Sequence, residues 1–249
     1  MVSVVIPVLN DAEQLRALLA RLENEPGQPE VIVADGGSSD ATLEIEQQFP
    51  WVHWTATAPG RGRQMNAGAR LARGEVLLFL HCDTYAPRGA IAQLPALLAS
   101  RNAHFGAFRI RFDPPVWLPQ LLAQATRLAN SWCCFGDQGI FARREFFFAT
   151  GGFPEIALLE DVHWVRAAGK RGRMVRSRHA VVSSARRFER IGTVRQSCRN
   201  LSILIRDLLG QSPEELARLY DKDYGVQVAE PVKPHVGVLS AERRPIPRA

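Results

Sequence analysis

The chain has 249 residues, 46% hydrophobic and 22% charged, a profile that supports a full globular core and excludes a disordered or low-complexity chain. Its 31 Lys+Arg against 25 Asp+Glu leave a formal net charge of +6, mostly as arginine, which favours anionic partners such as nucleotides, phosphates or acidic lipid. Cysteines at 82, 133, 134 and 198 have the spacing of neither a zinc site nor a secreted disulfide framework, so they read as reduced thiols. No signal-peptide pattern opens the chain and no run approaches the ~18 apolar residues of a membrane span, so a cytoplasmic location is expected.

Residues 2–6 are a β-branched strand that Pro7 is expected to end. Asn10 reads as the N-cap of a helix, with Glu13 as its capping-box partner and Leu15, Leu18, Leu19 and Leu22 as its apolar stripe. Pro26, Gly27 and Pro29 break that helix. Glu30 to Ala34 form a second strand, and Asp35-Gly-Gly-Ser-Ser-Asp40 turns into a second helix capped by Ser38 or Ser39. This β-α-β-α opening predicts an α/β fold with a doubly wound, mostly parallel sheet flanked by helices. A third strand is expected over 51–57, a loop and helix over 60–73, and a buried strand over 76–83.

A helix near 88–100 and a one-side-exposed antiparallel strand over 104–113 follow, then one or two helices over 115–132. Next come a turn at 136–139, a short strand, a turn at 151–154, a helix over 159–171 and a strand over 173–184. One long helix is expected over 189–210, with Ile191, Val194, Leu201, Leu204, Ile205 and Leu208 on one side. That stripe suits either the protein's own core or an anionic lipid surface, and Arg186, Arg187, Arg190, Arg195 and Arg199 near it suit either solvent or phosphate. A short helix starts at Pro213 with Ser212 as its cap, and from about 226 the Pro-containing chain is expected to be loosely ordered.

The chemistry concentrates at the predicted strand ends. Asp35 and Asp83 each close a strand, and in an α/β sheet both would face one crevice. A carboxylate at position 35 can accept from a uracil imide or a ribose hydroxyl, and it lies before the turn that follows rather than within it. On an extended backbone His81 and Asp83 project to the same side, where they could hold a divalent metal. Gly60-Arg-Gly-Arg-Gln-Met-Asn66 reads as a basic, Gly-rich phosphate loop in which Arg61 or Arg63 neutralises charge, or as an ordinary loop. It is not a dinucleotide fingerprint, because Met65 stands where the last glycine belongs, and no Walker-A loop exists. Glu160-Asp161 reads either as helix N-terminal stabilisation or as a general base at a pocket rim. Cys133-Cys134 supplies too few ligands for structural zinc and reads as idle thiols.

Taken in order, these segments resemble the family-2 glycosyltransferases of the GT-A fold. The resemblance rests on SVVIPVLND (3–11), VIVADGGSSDAT (31–42), GEVLLFLHCDT (74–84), GDQGIFARREFF (136–147) and GGFPEIALLEDVHW (151–164). It covers about residues 1–210, and GRGRQMNAGA (60–69), GDQGIF and SSARRFER (183–190) look closest to a bacterial subgroup associated with arsenosugar biosynthesis. It implies one glycosyltransferase domain over 1–225, with a nucleotide-binding half (1–113), an acceptor half with C-terminal helices (114–225) and a tail (226–249).

The resemblance also implies an inverting transfer from a nucleoside-diphosphate sugar, most simply a UDP-sugar, to an acceptor hydroxyl. The donor side would comprise Pro7, Leu9, Asn10, Asp11, Asp35, Gly36, Arg61, Arg63, Gln64, Asn66, His81, Cys82 and Asp83. The acceptor side would comprise Asp137, Gln138 and Glu160, with Asp161 as base. Asp83, with His81 a second ligand in question, would hold Mn²⁺ or Mg²⁺. The usual first acid of an Asp-x-Asp motif is His81 here. The partners implied are a nucleotide-sugar donor and a small-molecule or lipid-linked acceptor, with contact at the inner membrane surface and no nucleic acid. Two other readings stay open: a nucleotidyltransferase, which would want a Gly-rich loop where Pro7 to Asp11 stand, and a non-catalytic nucleotide-sugar-binding protein.

Overall fold

The computed structural model describes residues 1–127, 134 and 136–222. Cys133 and the tail expected from about 226 lie outside the described residues. The chain opens as β1 (Val2–Val8), α1 (Ala12–Leu22), β2 (Glu30–Asp35), α2 (Thr42–Gln48), β3 (His53–Ala56), α3 (Arg61–Leu71) and β4 (Val76–Phe79). β1 lies between β2 and β4, parallel to both, and β3 runs parallel on the far side of β2. Helices cover both faces of this half, which is why β1, β2 and β4 read as apolar runs rather than alternating ones.

The second half continues with β5 (Thr84–Tyr85), α4 (Leu94–Ser100), β6 (Phe105–Asp113) and α5 (Trp117–Leu122). A 3-10 turn at Gly136–Gln138 then leads into β7 (Ile140–Arg143), α6 (Arg144–Ala149), α7 (Glu160–Gly169) and β8 (Met174–Ser184). Three helices finish the described chain: α8 (Arg186–Ile191), α9 (Thr193–Leu208) and α10 (Pro213–Lys222). The sheet order is β3-β2-β1-β4-β7-β6-β8-β5. β7 is antiparallel to β4 and β6, and β8 is parallel to β6 and antiparallel to β5. This is the expected mostly parallel sheet with an antiparallel extension. Because Phe79 pairs with Ile140, the turn that starts β7 lies at the carboxyl end of β4.

Alternation along β1 splits the core. Val4, Ile6 and Val8 meet Leu15, Leu18 and Leu19 on one face. Val5 joins Met65, Phe79, Phe147, Phe153 and Trp164 on the other. The rings of Phe79, Phe147, Phe153 and Trp164 interlock there at centroid distances of 4.7–5.4 Å.

Several local expectations are corrected. Pro7 stays inside β1, opposite Ala34, because its missing N–H faces β4 beyond the point where that pairing ends at Val5 and Phe79. Asn10 does not cap α1; it adopts φ +52° and ties two loops together, accepting from Ser39 N at 2.7 Å and donating its N–H to Ser38 Oγ at 2.9 Å. Neither Ser38 nor Ser39 caps α2, where Asp40 accepts from Thr42 N instead. Gly60 to Arg63 is not a loop but the entry and first turn of α3. The strand over 104–113 is not exposed along one face at its start, since β7 and β8 flank it and Phe105–Phe108 are buried. The helix at 144–149 was not expected at all. The long helix over 189–210 is two helices, broken at Gly192 with φ +95°.

Candidate functional site

The loops that follow β1, β2 and β4 converge at one end of the sheet. Asp35 closes β2 and is 4% exposed. Its carboxylate accepts from Gly37 N, Ser38 N and Ser38 Oγ, so it is built into its turn rather than standing before it. Those bonds hold the carboxylate in one orientation, and its oxygens keep further lone pairs. Gly36 packs against the amide of Gln64, where a Cβ would come within 3.0 Å. Leu9 beside it is exposed, whereas Pro7 is buried.

β4 ends at Phe79, earlier than expected. His81 C=O then accepts from Thr84 N at 3.1 Å, so residues 81–84 form a turn. His81 and Asp83 therefore do not project together from an extended strand. Cys82 is buried between them, its Sγ 3.3 Å from Pro7 O. Burial pushes its thiol pKa well above the ordinary value, and the charges of Asp11 and Asp83 add to this. Asp11 and Asp83, from the loops after β1 and β4, thus both act on the buried Cys82 thiol.

Gln64 and Asn66 brace the site from α3. Gln64 Nε2 donates to Val8 O at 2.7 Å and Ala34 O at 2.9 Å, joining the ends of β1 and β2 to α3. Asn66 Nδ2 donates to Phe153 O at 2.7 Å and its Oδ1 accepts from Phe153 N at 3.0 Å. Both side chains are buried, at 3% and 8% exposure. Each side chain thus braces the backbone around the crevice. The glycine at 62 has a packing reason as well, since a Cβ there would lie 2.6 Å from Pro154 O.

Arg61 and Arg63, at the start of α3, reach across to the segment before and within α7. Arg63 Nε meets Glu155 Oε2 at 3.1 Å on the surface. Arg61 Nε lies 2.8 Å from Glu160 Oε1, and its Nη2 donates to Oε2 at 3.3 Å. Burial works against the charge on Arg61, yet Glu160 and Asp161 outweigh it and hold the guanidinium more firmly charged than usual. Burial raises the pKa of Glu160, Arg61 opposes the shift, and the adjacent charge of Asp161 adds to it. Glu160 and Asp161 occupy the first turn of α7, behind Leu159 in the left-handed conformation.

Asp161 is 7% exposed. Its Oδ2 accepts a short hydrogen bond from the amide of Gly136, and its Oδ1 is buried without a hydrogen-bond partner among the described residues. A Cβ at position 136 would lie 2.7 Å from Asp161 Oδ2 and 3.1 Å from His81 Nε2. Glycine there lets the imidazole and the carboxylate approach the same backbone. Asp137 is half-buried in the same turn, and Gln138 is buried. Gln138 Oε1 accepts from Arg176 Nη1 at 2.6 Å, and the same guanidinium nitrogen donates to Phe108 O at 3.0 Å. Cys134 lies nearby, its thiol pushed up to about 12 by burial, partly offset by Arg176.

Sequence reading missed Gly62, Gly136 and Arg176 as shaping groups. Only Arg176 left a signal: an arginine beside Val175 within a segment that reads as a strand, where it is buried. Among the described residues no three His, Cys, Asp or Glu side chains cluster closely enough to hold a metal by themselves. The carboxylate of Asp83 has the hard-oxygen chemistry that would suit a cation whose other ligands came from a diphosphate and water.

This sheet, with its converging strand-end loops, is the GT-A glycosyltransferase architecture, and solved structures share it. A mannosyltransferase from Pyrobaculum calidifontis, in complex with GDP-Man and Mn²⁺, aligns at TM-score 0.61 and 21% identity over 73% of this chain and 56% of that one. The S. aureus TarS fragment 1–349, in complex with UDP-GlcNAc, aligns at TM-score 0.59 and 18% identity over 74% and 58%. In the TarS crystal structure of greater length, the alignment spans only 36% of that chain. Residues 3–151 match the model of Glycosyl transferase family 2, and the chain belongs to that family. A PGL/p-HBAD biosynthesis glycosyltransferase of Mycobacterium bovis is 28% identical over 201 residues, 76% of this chain and 77% of that protein. Glycosyltransferase AglE of Haloferax volcanii is 26% identical over 203 residues, 73% of this chain and 65% of that protein. The protein is a glycosyltransferase, which sets aside the nucleotidyltransferase and non-catalytic readings.

Proposed function

We propose that the protein transfers a sugar from a UDP-sugar to an acceptor hydroxyl by a single inverting displacement, with a divalent metal. The observation that carries this is Asp161: a carboxylate oriented by one backbone amide, with its other oxygen buried and without a hydrogen-bond partner among the described residues. Such an oxygen is suited to take a proton from a hydroxyl placed against it. Asp35, held by its turn, accepts from the uracil imide or ribose. Pro7, Leu9, Asn10, Asp11 and Gly36 form the adjoining wall. Asp83 would hold Mn²⁺ or Mg²⁺ together with the donor's diphosphate, and the cation would neutralise the leaving group; His81 is the second side chain within that turn.

In the reaction Asp161 removes the acceptor proton as the acceptor oxygen bonds to the anomeric carbon. The bond from that carbon to the diphosphate oxygen breaks, and its electron pair leaves with UDP. Glu160 neutralises Arg61 and fixes α3 against α7, while Asp137 and Gln138 border the acceptor. The acceptor is a small-molecule or lipid-linked hydroxyl. The blocks GRGRQMNAGA, GDQGIF and SSARRFER support placing the chain with the arsenosugar-associated subgroup, which specifies neither sugar nor acceptor.

A thermal-shift panel of UDP, ADP, GDP and CMP, each with Mn²⁺ or EDTA, tests the donor reading. UDP with metal should stabilise most, by about 2.7 kcal/mol at 100 times Kd. Equal shifts from every nucleotide, or a UDP shift indifferent to EDTA, would count against it. UDP release on addition of acceptor then reports turnover.

A further inference from the structure

Helix α9 turns its apolar side away from the protein. Val194, Leu201, Ile205 and Leu208 lie within about 60° of one another around the helix, and their exposures are 56%, 58%, 47% and 56%. Leu209, directly after the helix, is 81% exposed. The opposite side faces inward and is largely polar: Gln196 and Ile203 are buried there. Asp207 accepts from Arg166 Nη1 at 2.6 Å and lies 2.6 Å from His163 Nε2, both on α7. The usual order, apolar stripe inward and polar face outward, is reversed. No helix among the described residues is long and apolar enough to cross a membrane.

Two further observations define what this face would meet. α5 packs beside α9 and adds Trp117 and Leu121, both well exposed. Arg195 and Arg206 are exposed along one margin of the stripe, and the one acid of α9, Asp207, is turned into the protein. The face is therefore apolar and cationic, with a tryptophan at its edge. We propose that α9, with α5, docks on an anionic lipid surface, its axis in the interfacial plane. A second copy of the chain is a poorer occupant, because an antiparallel two-fold contact through this face would bring the two arginine margins together. Through Asp207 the docked helix is tied to α7, the helix that carries Asp161. Docking would thus set the height of the pocket above the lipid. The inference does not depend on which nucleotide or base the transfer uses.

The test is co-sedimentation of the full chain with phosphatidylcholine vesicles, with and without phosphatidylglycerol. Binding is expected at low salt only with the anionic lipid, and weaker at high salt. The double substitution Leu201→Glu, Ile205→Glu should weaken it by roughly tenfold or more. Both side chains are exposed, so the variant should keep its melting temperature and its UDP-induced shift. Absence of binding at low salt overturns the proposal, as does equal binding by the double variant. A dimer in light scattering that this variant dissolves, without vesicle binding by the native chain, assigns the face to a second copy and overturns it too.

Discussion

Gln138 and Arg176 meet at 2.6 Å in the interior, and through them a charge on β8 pins the turn that orients Asp161. Gln138 and Gly136 belong to the same three-residue turn, and the Gly136 amide is the donor to Asp161 Oδ2. Arg176→Met should free that turn. A buried hydrogen bond to a charged group contributes about 1.5–3 kcal/mol, so a fall in melting temperature of that equivalent is expected. Turnover should fall as well while UDP affinity holds. Arg176→Lys should restore it only in part, since both bonds are made by one guanidinium nitrogen that stands a bond further along the side chain than a lysine ammonium. Unchanged turnover in Arg176→Met would show that the turn holds itself.

Asp161→Asn keeps an oxygen that can accept from Gly136 and removes the proton acceptor. kcat should drop by roughly 10²–10⁴-fold with UDP affinity near wild type. Glu160→Gln should cost less turnover, because the Arg61 contact weakens without loss of the base. Loss of UDP binding in Asp161→Asn would move Asp161 to the donor side and make Asp137 the next base to examine.

Gly62→Ala tests the junction between α3 and the segment before α7. The added methyl would stand 2.6 Å from Pro154 O, a backbone atom that cannot swing aside. Overpacking of this kind costs about 1–3 kcal/mol. Thermal denaturation should show the loss; a wild-type melting temperature would mean that the two segments separate freely.

The buried thiols define a pH dependence. Cys134 is raised from its ordinary 9.0 to about 12, and Cys82 is also raised, so the native state holds protons that the unfolded chain releases. Their contribution to stability is full below pH 9.0 and is lost progressively as pH rises towards about 12. At pH 8 a thiol reagent followed by peptide mapping should label exposed Cys198 and leave Cys82 and Cys134 unmodified. Rapid labelling of Cys134 in the folded protein would contradict its burial.

What the sequence determined by itself was local. Apolar runs bounded by turn residues located the strands of the first half, and the β-α-β-α order implied their parallel pairing. Asp35 was legible as a strand-end acid, and Glu160-Asp161 as the start of a helix, because each follows from neighbours a few positions away; Asp83, read the same way, lies in a turn beyond the strand. The ordered set of motifs made the family legible too.

Only the tertiary structure decided what those side chains touch. Gln64 and Asn66 lie in a segment that reads as a basic loop, and the fold makes them braces on Val8, Ala34 and Phe153. Arg61 belongs with Glu160, 99 residues later, and Gly136 with Asp161, 25 residues later. Leu201 and Ile205 form a helical stripe in either setting, but its outward direction depends on Asp207 being drawn inward by His163 and Arg166. Periodicity and turn chemistry are properties of a few consecutive residues. Which of two polar partners is met, and which side of a helix is covered, depends on how distant segments pack.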